Sequence, residues 1–157
     1  SGARRQAFLP VALDSVVSDV LDLYEPVAEE RGVQVRFVCD ASVQVAADAD
    51  LIASALANLV DNALKYTAPA GQGRVELRLA LHDCQAVLTV RDNGRGVAPA
   101  DLGRIGTRFY RADRSREGYG LGLASVQAIV RLHGGQIAFE DAVPGLQVRL
   151  SLPALPG

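Results

Sequence analysis

Hydrophobic side chains recur at the 3.6-residue period of an amphipathic helix in three parts of the chain. The three predicted helices cover residues 13–28, 49–66 and 121–133. Gly32 stands where the first helix should stop, and Pro26 inside it predicts a kink or a shortened hydrogen-bond ladder. Either Asp48 or Asp50 is suited to cap the second helix, because a carboxylate accepts a hydrogen bond from a free N–H there. The third helix should end at the Gly134-Gly135 pair.

Hydrophobic and polar residues alternate elsewhere with the period of two that is typical of half-buried strands. The five predicted strands cover residues 33–39, 75–80, 86–91, 136–140 and 146–152. The second and third form a hairpin through residues 82–85, and the last two form another. This order lacks the regular β-α-β alternation of a doubly wound parallel sheet. The pattern predicts a two-layer α/β sandwich, in which three helices cover one face of a mixed, mostly antiparallel sheet.

Composition narrows the class of protein further. A chain of 157 residues with 49% hydrophobic content is expected to form one domain around one core. Sixteen basic and 18 acidic residues give a net charge of −2, and only 5% of residues are aromatic, so nucleic acid is not the expected partner. The chain has no apolar run of the roughly 18 residues that span a bilayer. Cys39 and Cys84 are too few for a disulfide framework and are interpreted as inert thiols.

A polar stripe lies on the second predicted helix. Asn58, Asn62 and Lys65 share one face at i, i+4 and i+7, away from the apolar arc. That arc, which should face the sheet, consists of Ile52, Leu56, Leu59, Val60 and Ala63. The stripe fits a plain solvated face, but Lys65 is the only lysine in the sequence and asparagine is an indifferent helix former. Amide oxygens can ligate Mg²⁺ and an ammonium can meet phosphate, so a nucleotide-phosphate site is a second interpretation.

Two glycine-containing segments add candidate chemistry. The segment DNGRG at 92–96 follows a predicted strand and is either a tight turn or a turn that approaches a bound ring. In the second case Asp92 could accept a hydrogen bond from an exocyclic amine such as that of adenine. GYGLGL at 118–123 opens the third helix, where backbone N–H groups favour anions, although a flexible helix start explains it as well. No GxxxxGK[ST] motif is present, which excludes a P-loop.

The order and spacing of these segments resemble the ATP-binding catalytic domain of bacterial sensor histidine kinases. That domain belongs to a superfamily with a Bergerat-type sandwich that also includes gyrase and Hsp90. The resemblance rests on four motifs in order: NLVDNALKYT at 58–67, DNGRGV at 92–97, RFYRAD at 108–113 and GYGLGLA at 118–124. It extends from about residue 13 to residue 153 and includes HGG at 133–135. Residues 97–119, with five arginines and few apolar anchors, are expected to be a mobile surface loop. The resemblance implies a lid over about residues 98–119.

The resemblance also implies roles for the polar stripe. Asn62 would ligate Mg²⁺ with Asn58 assisting nearby, and Lys65 would contact phosphate. Tyr66 would lie against the nucleotide. The cofactors implied are therefore ATP and Mg²⁺, and the catalytic residues are Lys65 together with Arg111, which would reach the γ-phosphate from the lid.

The remaining implied roles fall on the two glycine segments. Asp92 would read the adenine amine, and Gly94 and Gly96 would permit close approach of the backbone to the ring. The residues implied to shape the end of the lid and the phosphate cradle are Gly118, Gly120, Leu121 and Gly122. One departure from the family is GLQ at 145–147, where Gly-Ser/Thr-Phe is common, so this third glycine segment is a weak match.

The chain also lacks an HExxTP segment with a phosphoacceptor histidine. His82 and His133 are interpreted as structural rather than nucleophilic. The resemblance therefore implies a protein-histidine kinase that transfers the γ-phosphate to a histidine on a separate dimerisation domain of the same receptor, with a response regulator downstream. We expect this chain alone to be monomeric, to bind ATP and not to phosphorylate itself. The full-length protein is expected to be a homodimeric inner-membrane receptor with this domain in the cytoplasm. An ATPase, a serine kinase or a nucleotide-binding pseudokinase of the same superfamily stays open as an alternative.

Overall fold

The computed structural model describes residues 8–69, 71–104 and 120–157. A five-stranded sheet in the order β2-β4-β5-β7-β6 forms one layer. Its strands are β2 (Val33–Cys39), β4 (Gly73–His82), β5 (Gln85–Asp92), β6 (Gln136–Asp141) and β7 (Leu146–Pro153). Only β2 and β4 are parallel, and the other neighbouring pairs are antiparallel. The predicted mixed, mostly antiparallel sheet is therefore confirmed.

Three helices form the second layer: α1 (Leu13–Arg31), α2 (Ala49–Tyr66) and α3 (Gly120–Leu132). α2 lies between the other two and packs over β4 and β5, whereas α1 contacts β2 and α3 contacts β6 and β7. The arc predicted on α2 is buried at all five positions, with no residue more than 4% exposed. This burial confirms both the helical period and the direction in which α2 faces the sheet.

Local chemistry fixes the helix ends. Gly32 adopts φ 64° after α1, and its N–H bonds to the Ala28 and Glu29 carbonyls, which confirms the predicted stop. α1 continues through Pro26 as one helix. Of the two candidate caps for α2, Asp48 is the one used, since its Oδ1 accepts from the Leu51 N–H at 3.1 Å.

Two predictions need correction and one feature was missed. The β4–β5 connection contains only Asp83 and Cys84, both with positive φ, because His82 and Gln85 pair with each other. The loop predicted over 97–119 begins with a 3-10 helix, Pro99–Arg104, and residues 105–119 lie outside the described residues. A two-stranded antiparallel sheet of β1 (Leu9–Ala12) and β3 (Gln44–Ala47) was not predicted.

Both cysteines are free and exposed.

No helix in the described ranges has both the length and the apolar character needed to cross a bilayer.

Candidate functional site at the ends of α2 and β5

Asp92 occupies the last position of β5, where the strand turns under the end of α2. Its side chain is buried, with 4% of the residue surface exposed. Oδ1 accepts from the Gly94 N–H at 2.9 Å and from the Leu146 N–H at 3.3 Å. Neither hydrogen bond involves Oδ2. Every fully buried side-chain N or O atom in the described ranges has a hydrogen-bond partner, so Oδ2, which has none there, is not fully buried. Oδ2 is therefore open to solvent and can accept a hydrogen bond from a ligand.

Burial makes this carboxyl group unusual. Desolvation raises the pKa of Asp92 from 3.8 to about 6, and the two backbone hydrogen bonds from Gly94 and Leu146 lower it only partly. At neutral pH the group is therefore ionised but poorly solvated. A ligand N–H donor directed at Oδ2 would restore part of the lost solvation, which makes Asp92 a strong acceptor for such a donor.

Glycine at position 94 is required by close packing. A Cβ there would collide with the backbone carbonyl of Tyr66, the last residue of α2. Gly96 has φ +70°, and a Cβ on it would lie 2.6 Å from the Gly145 carbonyl oxygen. The turn after β5 therefore lies directly against the end of α2, and the structure brings Asp92 and Tyr66 into one region as predicted.

The third glycine segment, a weak match in sequence, is part of this site. Gly145 has φ +100°, and a Cβ on it would collide with the Asp92 carbonyl. The next residue, Leu146, donates its N–H to the Asp92 side chain. The family's Ser or Thr is absent here, yet the backbone of the β6–β7 turn still fixes the orientation of Asp92. Sequence reasoning underrated these residues because a glycine in a hairpin has an ordinary turn explanation.

The polar stripe of α2 is half-buried at its two asparagines, and Asn62 lies beside α3. Asn58 and Asn62 are half-buried, and among the residues that the structure describes neither side chain makes a hydrogen bond. A Cβ added at Gly122 would lie 3.6 Å from Asn62 Nδ2, so the first turn of α3 passes beside Asn62. Two carboxamides that bond to none of the described residues are suitable ligands for a hard cation such as Mg²⁺, which prefers oxygen.

Lys65 has a partner that was not predicted. Its Nζ lies 3.0 Å from Asp61 Oδ2, one turn earlier on α2. Tyr24 of α1 lies in the field of both groups, and its pKa is raised mainly by burial and also by Asp61, with Lys65 acting in the opposite direction. Lys65 also lines an open cleft of about 570 Å³ together with Arg31, Tyr66 and Arg95. The predicted phosphate ligand thus stands in a basic cleft but is paired with a carboxylate.

Some predicted positions cannot be placed. Arg111 and Gly118 lie outside the described residues. Gly120 is the first residue of α3, and nothing is described of the Leu121 side chain beyond its place in that helix. The implied lid residues are thus an untested part of the prediction.

The two histidines differ in role. His133 is buried, and its Nε2 accepts the Asp48 N–H at 3.1 Å while Nδ1 lies 2.7 Å from the Ile129 carbonyl oxygen. The Phe8 ring stacks on it with a centroid distance of 4.4 Å. His133 is therefore structural, as predicted, because it joins the end of α3 to the cap of α2. His82 is instead exposed in the β4–β5 hairpin, 3.3 Å from Asp83, and fills no comparable structural position.

Known proteins match this fold and these motifs. The family model of histidine kinase-, DNA gyrase B- and HSP90-like ATPases matches residues 47–156. The chain is 43% identical over 142 residues to the sensor histidine kinase CusS of Escherichia coli O6:H1, a match that covers 88% of this chain and 29% of CusS. The structure of the mycobacterial sensor histidine kinase MprB has a TM-score of 0.82 at 33% identity and covers 95% of this chain and 100% of that one. Full-length ShkA, solved in complex with AMPPNP, has a TM-score of 0.83 at 27% identity and covers 96% of this chain and 32% of ShkA.

The chain therefore belongs to the histidine kinase-, DNA gyrase B- and HSP90-like ATPase family. Within that family its relatives CusS and MprB are sensor histidine kinases, which are protein-histidine kinases of two-component signalling. The resemblance drawn from the four motifs, including the use of ATP, is confirmed at this level. The chain spans only 29% of the length of CusS.

Proposed function

We propose that this chain is the single catalytic domain of a sensor histidine kinase, that it binds ATP with Mg²⁺, and that it delivers the γ-phosphoryl group to a histidine on a separate dimerisation domain. The observation that carries the proposal is the open Oδ2 of buried Asp92 beside the end of α2. The exocyclic amine of an adenine ring can donate the hydrogen bond that Oδ2 is free to accept. The AMPPNP bound to the related ShkA supports an adenine nucleotide as the ligand.

Asp92 and the glycine turns would select the base. Its Oδ1 is held by the Gly94 and Leu146 N–H groups, so the carboxylate cannot rotate freely and Oδ2 stays available to a donor. Guanine presents a carbonyl oxygen where adenine presents the amine, and two acceptors facing each other repel. The site should therefore prefer adenine to guanine.

The polar stripe of α2 would hold the phosphates. Asn62, with Asn58 beside it, would ligate Mg²⁺, and Lys65 and Arg111 would contact the phosphate oxygens. Tyr66 would lie against the nucleotide, and the start of α3 from Gly120 to Gly122 would close the phosphate end. Mg²⁺ supplies neutralisation of phosphate charge, and positioning of this kind accounts for most of the catalysis of phosphoryl transfer.

The acceptor histidine must come from outside the described ranges. His133 is buried and both of its ring nitrogens are engaged. His82 pairs with Gln85 at the opposite end of β5 from Asp92, which is roughly 23 Å away at about 3.3 Å per residue. Neither histidine can reach a phosphate bound beside Asn62 in the same molecule. We therefore place the acceptor on the dimerisation domain of the same receptor.

The relatives, which are sensor histidine kinases, support a proposal for the wider setting. We propose a homodimeric full-length receptor in the inner membrane, with this domain in the cytoplasm and a response regulator as the final acceptor. The isolated chain is expected to be monomeric and to have no nucleic-acid partner. Residues from about 98 to 119 would act as the lid.

Phosphoryl transfer tests the proposal directly. The purified chain is incubated with γ-labelled ATP and Mg²⁺, with and without the histidine-bearing dimerisation domain of its receptor. We expect acid-labile, base-stable label on the dimerisation domain and none on the chain alone. Label on the chain itself, or ATP binding without any transfer to the added domain, would contradict the proposed activity.

A further inference from the structure

We propose that Asp61 controls nucleotide affinity by holding Lys65, so that bound phosphate competes with a carboxylate for the only lysine of the chain. This inference rests on the proposed function, because it deepens the account of the phosphate site. Asp61 is a positioning residue of this site and acts through Lys65.

The geometry of the pair supports competition. Asp61 Oδ2 and Lys65 Nζ are 3.0 Å apart at i and i+4 on α2, and the two side chains are 34% and 38% exposed. A pair this exposed is easily opened, because such helix pairs change an equilibrium constant only about twofold. A phosphate carrying several charges can therefore replace the single carboxylate. The pair is strong enough to lower affinity and too weak to prevent binding.

The pair lies close to the proposed nucleotide site. Lys65 immediately precedes Tyr66, whose carbonyl packs against Gly94 in the turn that carries Asp92. The cleft beside it is lined by Arg31, Lys65 and Arg95, and its described lining contains no acidic side chain. Asp61 does not line this cleft itself, but its carboxylate contacts Lys65, which does, and so reduces the positive charge there.

Two effects of Asp61 act in the same direction. Its carboxylate occupies one of the three ammonium hydrogens and neutralises part of the positive charge, and its own negative charge repels the incoming phosphates. Replacing Asp61 by Asn removes both effects and keeps the size of the side chain. We expect Mg-ATP to bind about two- to fivefold more tightly to the Asp61→Asn variant. The gain should decrease from ATP to ADP and vanish for adenosine, which has no phosphate.

A double-mutant cycle separates this mechanism from a general charge effect. Kd values for ATP, ADP and adenosine are measured calorimetrically for the wild type, Asp61→Asn, Lys65→Gln and the double variant. The tightening should be clearly larger with Lys65 present than with Gln at that position, where only the direct repulsion by Asp61 remains. Asp19→Asn, an equal charge change at an exposed position of α1, serves as the matched control and should leave the Kd unchanged. Asp61→Ser provides a second variant should Asp61→Asn fold poorly.

The outcomes are distinct. Weaker or unchanged ATP binding by both Asp61 variants, or equal tightening in the presence and absence of Lys65, would overturn this inference while leaving the proposed function intact. Failure of the folded wild-type chain to bind ATP at all would remove the proposed function, and this inference with it.

Discussion

The replacement Asp92→Asn should abolish ATP binding and at the same time make the fold more stable. Asp92 is 4% exposed, and burial raises its pKa from 3.8 to about 6. The folded protein therefore holds this proton more tightly than the unfolded chain does. The stabilisation from the protonated group is fully present below pH 4 and is lost as pH rises through 6. A difference of about two pKa units corresponds to about 3 kcal/mol of unfolding free energy by pH 7.

Asparagine removes the charge and keeps the acceptor. Its Oδ1 can still receive the Gly94 and Leu146 N–H groups, which are 2.9 and 3.3 Å away in the wild type. The variant should therefore be more stable than the wild type by about 2–3 kcal/mol at pH 7.5. This advantage should shrink between pH 6 and pH 4 and disappear below that range, where wild-type Asp92 is also neutral. ATP binding by this variant should be lost at every pH in the series, because the amide NH₂ does not titrate and opposes the adenine amine.

Urea denaturation at half-unit intervals from pH 4 to pH 8 measures this difference directly. Asp19→Asn, an exposed aspartate, controls for the change in net charge and should follow the wild-type pH dependence. The reasoning is refuted if Asp92→Asn is less stable than the wild type at pH 7.5. It is also refuted if the two proteins show parallel stability curves between pH 4 and pH 6.

Three further predictions concern the elements that build the site. Gly94→Ala should destabilise the fold by about 2–3 kcal/mol, because the added Cβ meets the Tyr66 carbonyl. Gly103→Ala is the control and should change the melting temperature little, since nothing lies within 4 Å of its Cβ. Equal shifts in melting temperature for the two variants would contradict the packing argument. Asn62→Ala should abolish Mg²⁺-dependent ATP binding in calorimetry and leave the melting temperature nearly unchanged, and an unaltered ATP affinity would move the metal site elsewhere. His133→Phe keeps an aromatic ring beside Phe8 but loses two hydrogen bonds. Urea denaturation should therefore report a free energy of unfolding lower by about 1–3 kcal/mol, and wild-type stability would refute the structural role of His133.

The sequence predicted the elements with a strong period and clear end signals. α2 was predicted at its observed bounds, since its apolar arc from Ile52 to Ala63 continues over about three turns and Asp48 precedes it. Gly32 fixed the end of α1 for an equally local reason. β1 and β3 were missed because four residues are too short to display alternation, and Pro10 in β1 argues against a strand. Their pairing depends on contacts between distant parts of the chain.

The candidate site was predicted only as far as its motifs are local. Asp92, Gly94 and Asn62 were found because each lies in a recognisable segment. The support of Asp92 by Gly145 and Leu146 depends on the β5–β7 register, which brings residues more than 50 positions apart together. The Asp61–Lys65 pair was overlooked for a different reason. The i, i+4 spacing of Asp61 and Lys65 is visible in the sequence. Only the side-chain geometry shows that the Lys65 ammonium contacts the Asp61 carboxylate.

Calorimetric titration of the purified chain with ATP and GTP, in Mg²⁺ and again in excess EDTA, tests most directly whether the ends of α2 and β5 form an adenine-nucleotide pocket. Saturable binding of ATP in Mg²⁺, clearly weaker binding in EDTA and much weaker binding of GTP is the result that this account predicts. Equal affinity for ATP and GTP, or no heat with either nucleotide from a folded protein, would contradict it.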